Sequence, residues 1–168
     1  SAYDALIENN IRRIAVLEEM TQRIYEEWFV KFRFPGHEKT QMVESDLAVI
    51  PEGWETVQIS EVVNLLRGKS YRGTELAEEG GLPFVNLKCI DRDGGFRKSG
   101  IKRFTGEYKE TQKVFPGDMV IAVTDMTQDR RIVGRCGRIP RLDSEFGVIS
   151  MDLIKVQPKD KLFNNFLY

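Results

Sequence analysis

Residues 3–33 read YDALIENNIRRIAVLEEMTQRIYEEWFVKFR, with neither glycine nor proline. Ile7, Ile14, Leu17, Ile24 and Trp28 recur at intervals of seven, three, seven and four. That rhythm is the seam of a helix that pairs with another helix. Ile11, Met20, Tyr25, Phe29 and Phe32 widen the stripe. At about 1.5 Å per residue the helix is expected to run roughly 45 Å. A domain built from the rest of the chain is only about that wide, so the helix is expected to project and to need a partner. The five seam residues are therefore a candidate subunit interface. A surface helix packed on its own domain is the competing reading. The pattern stops at Phe34-Pro35-Gly36, where Pro35 disfavours helix before it and Gly36 permits a turn.

The chain of 168 residues has room for one domain and an appendage, and 41% apolar residues are enough for a core. No run approaches eighteen apolar residues, and no signal peptide is visible at the start. Cys89 and Cys136 are the two cysteines, far apart, and they exclude a disulfide scaffold or a four-cysteine zinc site. Buried free thiols in a reducing cytoplasm are expected. The net charge of −1 hides an asymmetry: residues 62–141 hold sixteen Lys and Arg against ten Asp and Glu, a local +6, and the remainder carries −7. A segregated basic region suggests a face for a polyanion.

After the helix, residues 37–49 are polar and read as a linker. Ile50-Pro51-Glu52-Gly53-Trp54 is a turn that opens a new unit, residues 50–168. A short strand is expected at 54–58, and a short helix at 60–66 capped by Ser60. Further strands are expected at 82–90, with Pro83 at its edge, and at 119–124, 132–139 and 148–156. Residues 96–104 look extended. Phe115-Pro116-Gly117-Asp118 is a tight turn. A helix is expected to begin at Lys159. The fold class is α+β: a long N-terminal spacer helix of the coiled-coil type, then a β-rich, mainly antiparallel domain.

Catalytic chemistry is not legible. His37 is the only histidine and lies in the linker, which argues against a Ser-His-Asp or Cys-His arrangement. Gly68-Lys69-Ser70 looks like the end of a P-loop, but the glycine that motif needs is Val63. Asp118 is explained by its turn. No metal motif is present.

Recognition chemistry remains. Arg130, Arg131, Arg135, Arg138 and Arg141 fall within twelve residues without an acid between them. Arginine grips phosphate and reads guanine through O6 and N7. Thr124, Thr127, Gln128 and Asp129 beside them can hydrogen-bond base edges. Asn86, next to Lys88, can pair with adenine if it faces a groove. Lys69, Tyr71 and Arg72, and the stretch with Arg97, Lys98, Lys102 and Arg103, are candidate phosphate grips. Strand alternation allows only about half of these on one face.

Two stretches resemble a known family. Ile24-Tyr25-Glu26-Glu27-Trp28-Phe29-Val30-Lys31-Phe32-Arg33-Phe34-Pro35-Gly36, then Ile50-Pro51-Glu52-Gly53-Trp54, is similar to the specificity subunit of type I restriction-modification systems. Leu66-Arg67-Gly68-Lys69-Ser70, Pro83-Phe84-Val85-Asn86-Leu87 and Pro116-Gly117-Asp118-Met119-Val120 resemble recurrent strands and turns of its target recognition domain. The resemblance implies a non-catalytic subunit whose two recognition domains, held apart by paired helices, each read half of a split DNA sequence. It implies that the helices dock methylation subunits, and that a motor and nuclease subunit joins them. S-adenosylmethionine, ATP and Mg are then expected on partners, with no cofactor in this chain. Residues 1–36 correspond to the central spacer and dimerisation helix, and 50–168 to a second recognition domain cut short. A fragment is expected, with a halved subunit that dimerises as the other option. A protein-interaction module acting through the helix, without DNA reading, is the rival from another class. A stand-alone nucleic-acid enzyme is a further rival, disfavoured by the single histidine.

Overall fold

A computed structural model of the chain describes residues 2–125, 129, 131–160, 163, 166 and 167. It divides into two compact units, Ser1–Val57 and Gln58–Tyr168.

In the first unit, helix α1 (Ala2–Tyr25) buries none of its residues and passes into a π-turn over Glu26–Val30. The Lys31 N–H donates to the Glu26 carbonyl at 2.9 Å, and the Arg33 N–H to the Glu27 carbonyl at 2.6 Å. The regular helix expected through Arg33 therefore stops at Tyr25, nearer 36 Å than 45 Å at about 1.5 Å per residue. A π-turn adds a residue to the turn and so rephases every side chain after it. The rephased rings converge on Trp54. Phe29 lies 5.5 Å from the indole, Phe34 stacks on it at 5.5 Å, and Phe32 meets it edge-on at 5.7 Å. Phe32 sits at φ 55, a left-handed conformation. Such a residue costs of the order of 1–3 kcal/mol and persists where its surroundings fix it, as the Trp54 cluster does here.

The segment expected as a linker contains structure. His37–Lys39 is a 3-10 turn, and β1 (Met42–Glu44) pairs antiparallel with β2 (Val49–Pro51), Met42 opposite Pro51. The Ser45 hydroxyl closes the hairpin, donating to the Ala48 carbonyl at 2.6 Å and accepting the Ala48 N–H at 3.2 Å. Three-residue strands are too short to show alternation. The strand expected at 54–58 is absent: the Trp54 N–H turns back to the Pro51 carbonyl at 3.0 Å, with Gly53 at φ 84.

The second unit opens with α2 (Ile59–Val62), one turn with Gln58 rather than Ser60 at its N-cap. The helix expected to Leu66 gives way to β3 (Val63–Arg67). Then follow β4 (Leu76–Ala77), β5 (Leu82–Val85), β6 (Lys102–Phe104) and β7 (Lys113–Val114). The chain continues through β8 (Met119–Ala122), β9 (Cys136–Arg138), β10 (Gly147–Ile149) and β11 (Leu153–Pro158). One sheet has the order β4-β6-β5-β10-β7, the other β3-β11-β8-β9. Among these pairs only β5 with β10 is parallel.

The strand expected at 148–156 is thus two strands in different sheets, with the buried Ser150 between them. The Ser150 N–H donates to the Val85 carbonyl at 2.8 Å, and its own carbonyl accepts the Leu153 N–H at 3.0 Å. Gly68 passes so close that a Cβ there would lie 2.1 Å from the Ser150 oxygen, which explains the glycine in Gly68-Lys69-Ser70. Pro83 is not at an edge. It pairs with Arg103 of β6, but β10 joins β5 only from Phe84 onward, so no ladder on that side needs its missing N–H. The strand expected to Ile90 ends at Val85 because Asn86 caps a 3-10 turn, Leu87–Cys89. The strand expected at 132–139 shrinks to β9, since the Arg135 N–H turns back to the Ile132 carbonyl at 2.9 Å. Residues 96–104 hold a 3-10 turn, Lys98–Gly100, before β6.

Val85, Ile90, Val114, Val120, Ile139, Ile149 and Leu153 are buried in one cluster that draws on both sheets. Each such side chain contributes about 1.5–3 kcal/mol by leaving water. Phe84, Phe104 and Val148 form a second cluster, the two rings stacked at 4.8 Å. The helix expected from Lys159 falls largely outside the described residues. No helix among the described residues is long and apolar enough to cross a membrane.

Candidate nucleic-acid interface

The basic residues separate into groups with different freedom. Lys69 and Arg72 both meet Glu75. The Arg72 N–H donates to Glu75 Oε2 at 2.7 Å, and Lys69 Nζ lies 3.5 Å from Oε1. The Arg72 amide first, and the Lys69 charge with it, hold the Glu75 carboxyl below its ordinary value. Tyr71 is edge-on to Phe84 at 4.7 Å and packs on the second core cluster. Lys69 and Tyr71 are thus half-buried and engaged, and of this loop Arg72 is the exposed cation.

Asn86 does not face a groove, contrary to expectation. It is 4% exposed, its amide donates to the carbonyls of Gly100 at 2.8 Å and Phe84 at 3.2 Å, and its oxygen accepts the Lys88 N–H at 3.0 Å. Every polar atom of that side chain is committed to the scaffold. Arg97 is partly committed too: Nε and Nη2 donate to the Lys88 carbonyl at 3.0 and 2.8 Å. Lys88 itself is exposed.

Lys98, Lys102 and Arg103 come together. Arg103 stands on β6 between Ala77 of β4 and Pro83 of β5, neighbours too short to cover it. Two grooves meet there, of about 470 and 350 Å³, sharing Ile101 and Arg103 as a common wall. Lys102 lines the first, and Lys98 and Arg141 line the second. Asp143, which sequence reasoning passed over, pairs with Arg103 from the loop before β10. Each shifts the other: the carboxylate raises the Arg103 value, and the guanidinium lowers that of Asp143. No spacing could announce this pair, because forty residues separate its members.

Thr124, Arg131 and Arg135 lie in the connection between β8 and β9 of the other sheet; Thr127, Gln128 and Arg130 lie outside the described residues. The Thr124 hydroxyl donates to Asp152 Oδ1 at 2.9 Å, so it serves the junction beside Ser150. Asp125 Oδ2 accepts the Ile132 N–H at 2.8 Å and closes the loop. Arg131 is exposed, 3.7 Å from Asp129, a contact worth little in water. Arg135 is exposed as well, its Nε donating to the Arg131 carbonyl at 3.4 Å. The seam residues Ile7, Ile14, Leu17, Ile24 and Trp28 are all open, from 61% for Leu17 to 38% for Trp28.

The molecule is an α+β chain whose first unit carries a long helix and whose second unit is a two-sheet domain bearing two cation-lined grooves. It has solved counterparts. One, from a study of complex assembly and conformational transition of the type I R-M system, matches 98% of this chain with a TM-score of 0.52 and 24% identity. The HsdS subunit from Thermoanaerobacter tengcongensis matches 97% with a TM-score of 0.51 and 21% identity. At that identity the likeness speaks to the fold, and the match takes in 37% of each of those chains.

Two curated relatives from Methanocaldococcus jannaschii are similar in sequence. The type I restriction enzyme MjaIX specificity subunit is 27% identical over 68% of this chain, and the MjaVIII specificity subunit 32% identical over 58%. The chain spans 28% and 21% of their lengths. The profile of the type I restriction modification DNA specificity domain matches residues 51–168, and the chain belongs to that family.

Proposed function

We propose that this chain is a non-catalytic, sequence-specific DNA-binding part of a type I restriction-modification specificity subunit. In this reading it directs methylation and cleavage by partner subunits to one half of a bipartite target. The family match over residues 51–168 carries the reading, because that span contains the two grooves and the exposed arginines. The α1 stripe is the assembly surface, met by a second helix or by methylation subunits in the cytoplasm. S-adenosylmethionine, ATP and Mg belong to those partners. The domain bounds of this reading are spacer helix 1–36, segment 37–49 and recognition domain from residue 50, whereas the β1–β2 hairpin keeps residues up to Val57 in the first compact unit.

The fully open stripe supports a second reading, an interaction module that binds protein only. Selection from a randomised duplex pool separates the two. Repeated rounds on the immobilised chain should enrich one short motif. A pool that stays random while the chain still associates through its helix would replace DNA reading with the interaction module.

A further inference from the structure

Among the described cations that line the two grooves, Arg103 is the one paired with an acid. Its backbone is fixed in β6 between two strands. Its guanidinium is met from outside the sheet by Asp143, through one Nη2 donor between two partly exposed side chains. The loop that carries Asp143 is itself anchored. Leu142 packs on the main core cluster, the Ser144 hydroxyl donates to the Phe146 carbonyl at 2.6 Å, and Gly147 enters β10. Only one donor, on Nη2, is engaged by Asp143, so the guanidinium keeps donors for a ligand between the two grooves. Around it stand Lys98, Lys102 and Arg141, while Asp143 supplies one negative charge and Glu78 a second.

A phosphate grip needs charge and tolerates motion, as for the flexible lysines here. Base reading needs a fork held in one orientation, because two hydrogen bonds must form in one plane. A carboxylate that biases the orientation of the fork also subtracts charge, which weakens phosphate attraction. That arrangement suits direction more than charge. We infer that Arg103 is a base-reading residue for a guanine edge, and that Asp143 is its positioning residue, with Lys98, Lys102 and Arg141 gripping the flanking phosphates. The inference rests on the DNA-binding reading above.

The test uses the full chain and the duplex it selects from the randomised pool, together with duplexes changed at one base pair at a time. Wild type should prefer one G·C pair over its replacements by about 10- to 100-fold. Arg103→Lys, which keeps the charge and loses the fork, should drop that preference below about threefold with little change in salt dependence. Asp143→Asn removes an acid beside the grooves. It should bind mismatched duplexes more tightly than wild type yet discriminate less at the same pair. Thermal unfolding midpoints near wild type establish that both variants fold. Should Arg103→Lys keep every base preference, or Arg103→Ala weaken all duplexes equally, Arg103 is a phosphate contact and the inference is overturned. Asp143→Asn with unchanged discrimination overturns the positioning role. A wild-type chain that selects no motif overturns the DNA-binding reading itself, and this inference with it.

Discussion

Lys155, 7% exposed in the middle of β11, donates its ammonium to Asp118 at 3.0 Å and to the Lys113 carbonyl at 3.0 Å. The same Asp118 oxygen accepts the Phe115 N–H at 2.9 Å, and the Asp118 N–H closes the turn on the Phe115 carbonyl at 3.0 Å, with Gly117 at φ 95. One carboxylate therefore shapes the Pro-Gly turn into β8 and neutralises a buried cation. Removing it strands that cation. Asp118→Ala should lose about 3–5 kcal/mol in urea denaturation, whereas Lys155→Met, which removes the charge itself, should change stability far less. Equal losses in the two variants would contradict this account of the pair.

Asn86→Ala should act on stability and leave sequence preference alone. It abandons the Gly100 carbonyl and the Lys88 N–H in a buried site, a loss of about 1–3 kcal/mol. The motif selected from the randomised pool should be the same as for wild type. A changed preference would put Asn86 back among the reading residues.

Cys89 offers a pH handle. Burial pushes its thiol from an ordinary value near 9 up to about 11. Folding then disfavours the thiolate. Stability should be unaffected below the unfolded value and fall as pH rises from 9 through 11, by of the order of 2–3 kcal/mol. Cys89→Ala should flatten that fall. Iodoacetamide at pH 8 should leave Cys89 unmodified until the chain is unfolded, and rapid labelling of Cys89 in the native protein, mapped apart from the half-buried Cys136 by peptide mass, would refute its burial.

The exposed α1 stripe should drive association. Leu17→Asp with Ile24→Asp puts two charges on the seam and should return a self-associating chain to monomer in sedimentation velocity, with the near-ultraviolet spectrum unchanged. An unaltered sedimentation profile would remove the helix from the assembly surface.

The long periodic helix and the α+β class were legible because their signals extend over many residues. The Pro116-Gly117 turn was legible because its chemistry is local. The short elements were not. The hairpin of β1 and β2 rests on three-residue strands, and the split of 148–156 turns on Ser150 crossing between sheets, a tertiary fact. Side-chain roles were least legible. Asn86 and Lys98 are both polar residues near strand ends, yet one is sealed into the scaffold and the other lines a groove. The partner of Arg103 lies forty residues away, beyond any motif.

The most direct test of the central claim is the salt dependence of binding to the selected duplex. A DNA reader that neutralises three to five phosphates with the groove cations and exposed arginines should show log K falling against log salt with a slope of about −3 to −4.5. Reversing Lys98, Lys102 and Arg141 to Glu should abolish binding without unfolding the chain. A slope near zero, or undiminished affinity in the triple variant, would contradict the claim that this domain reads DNA through the residues of the two grooves.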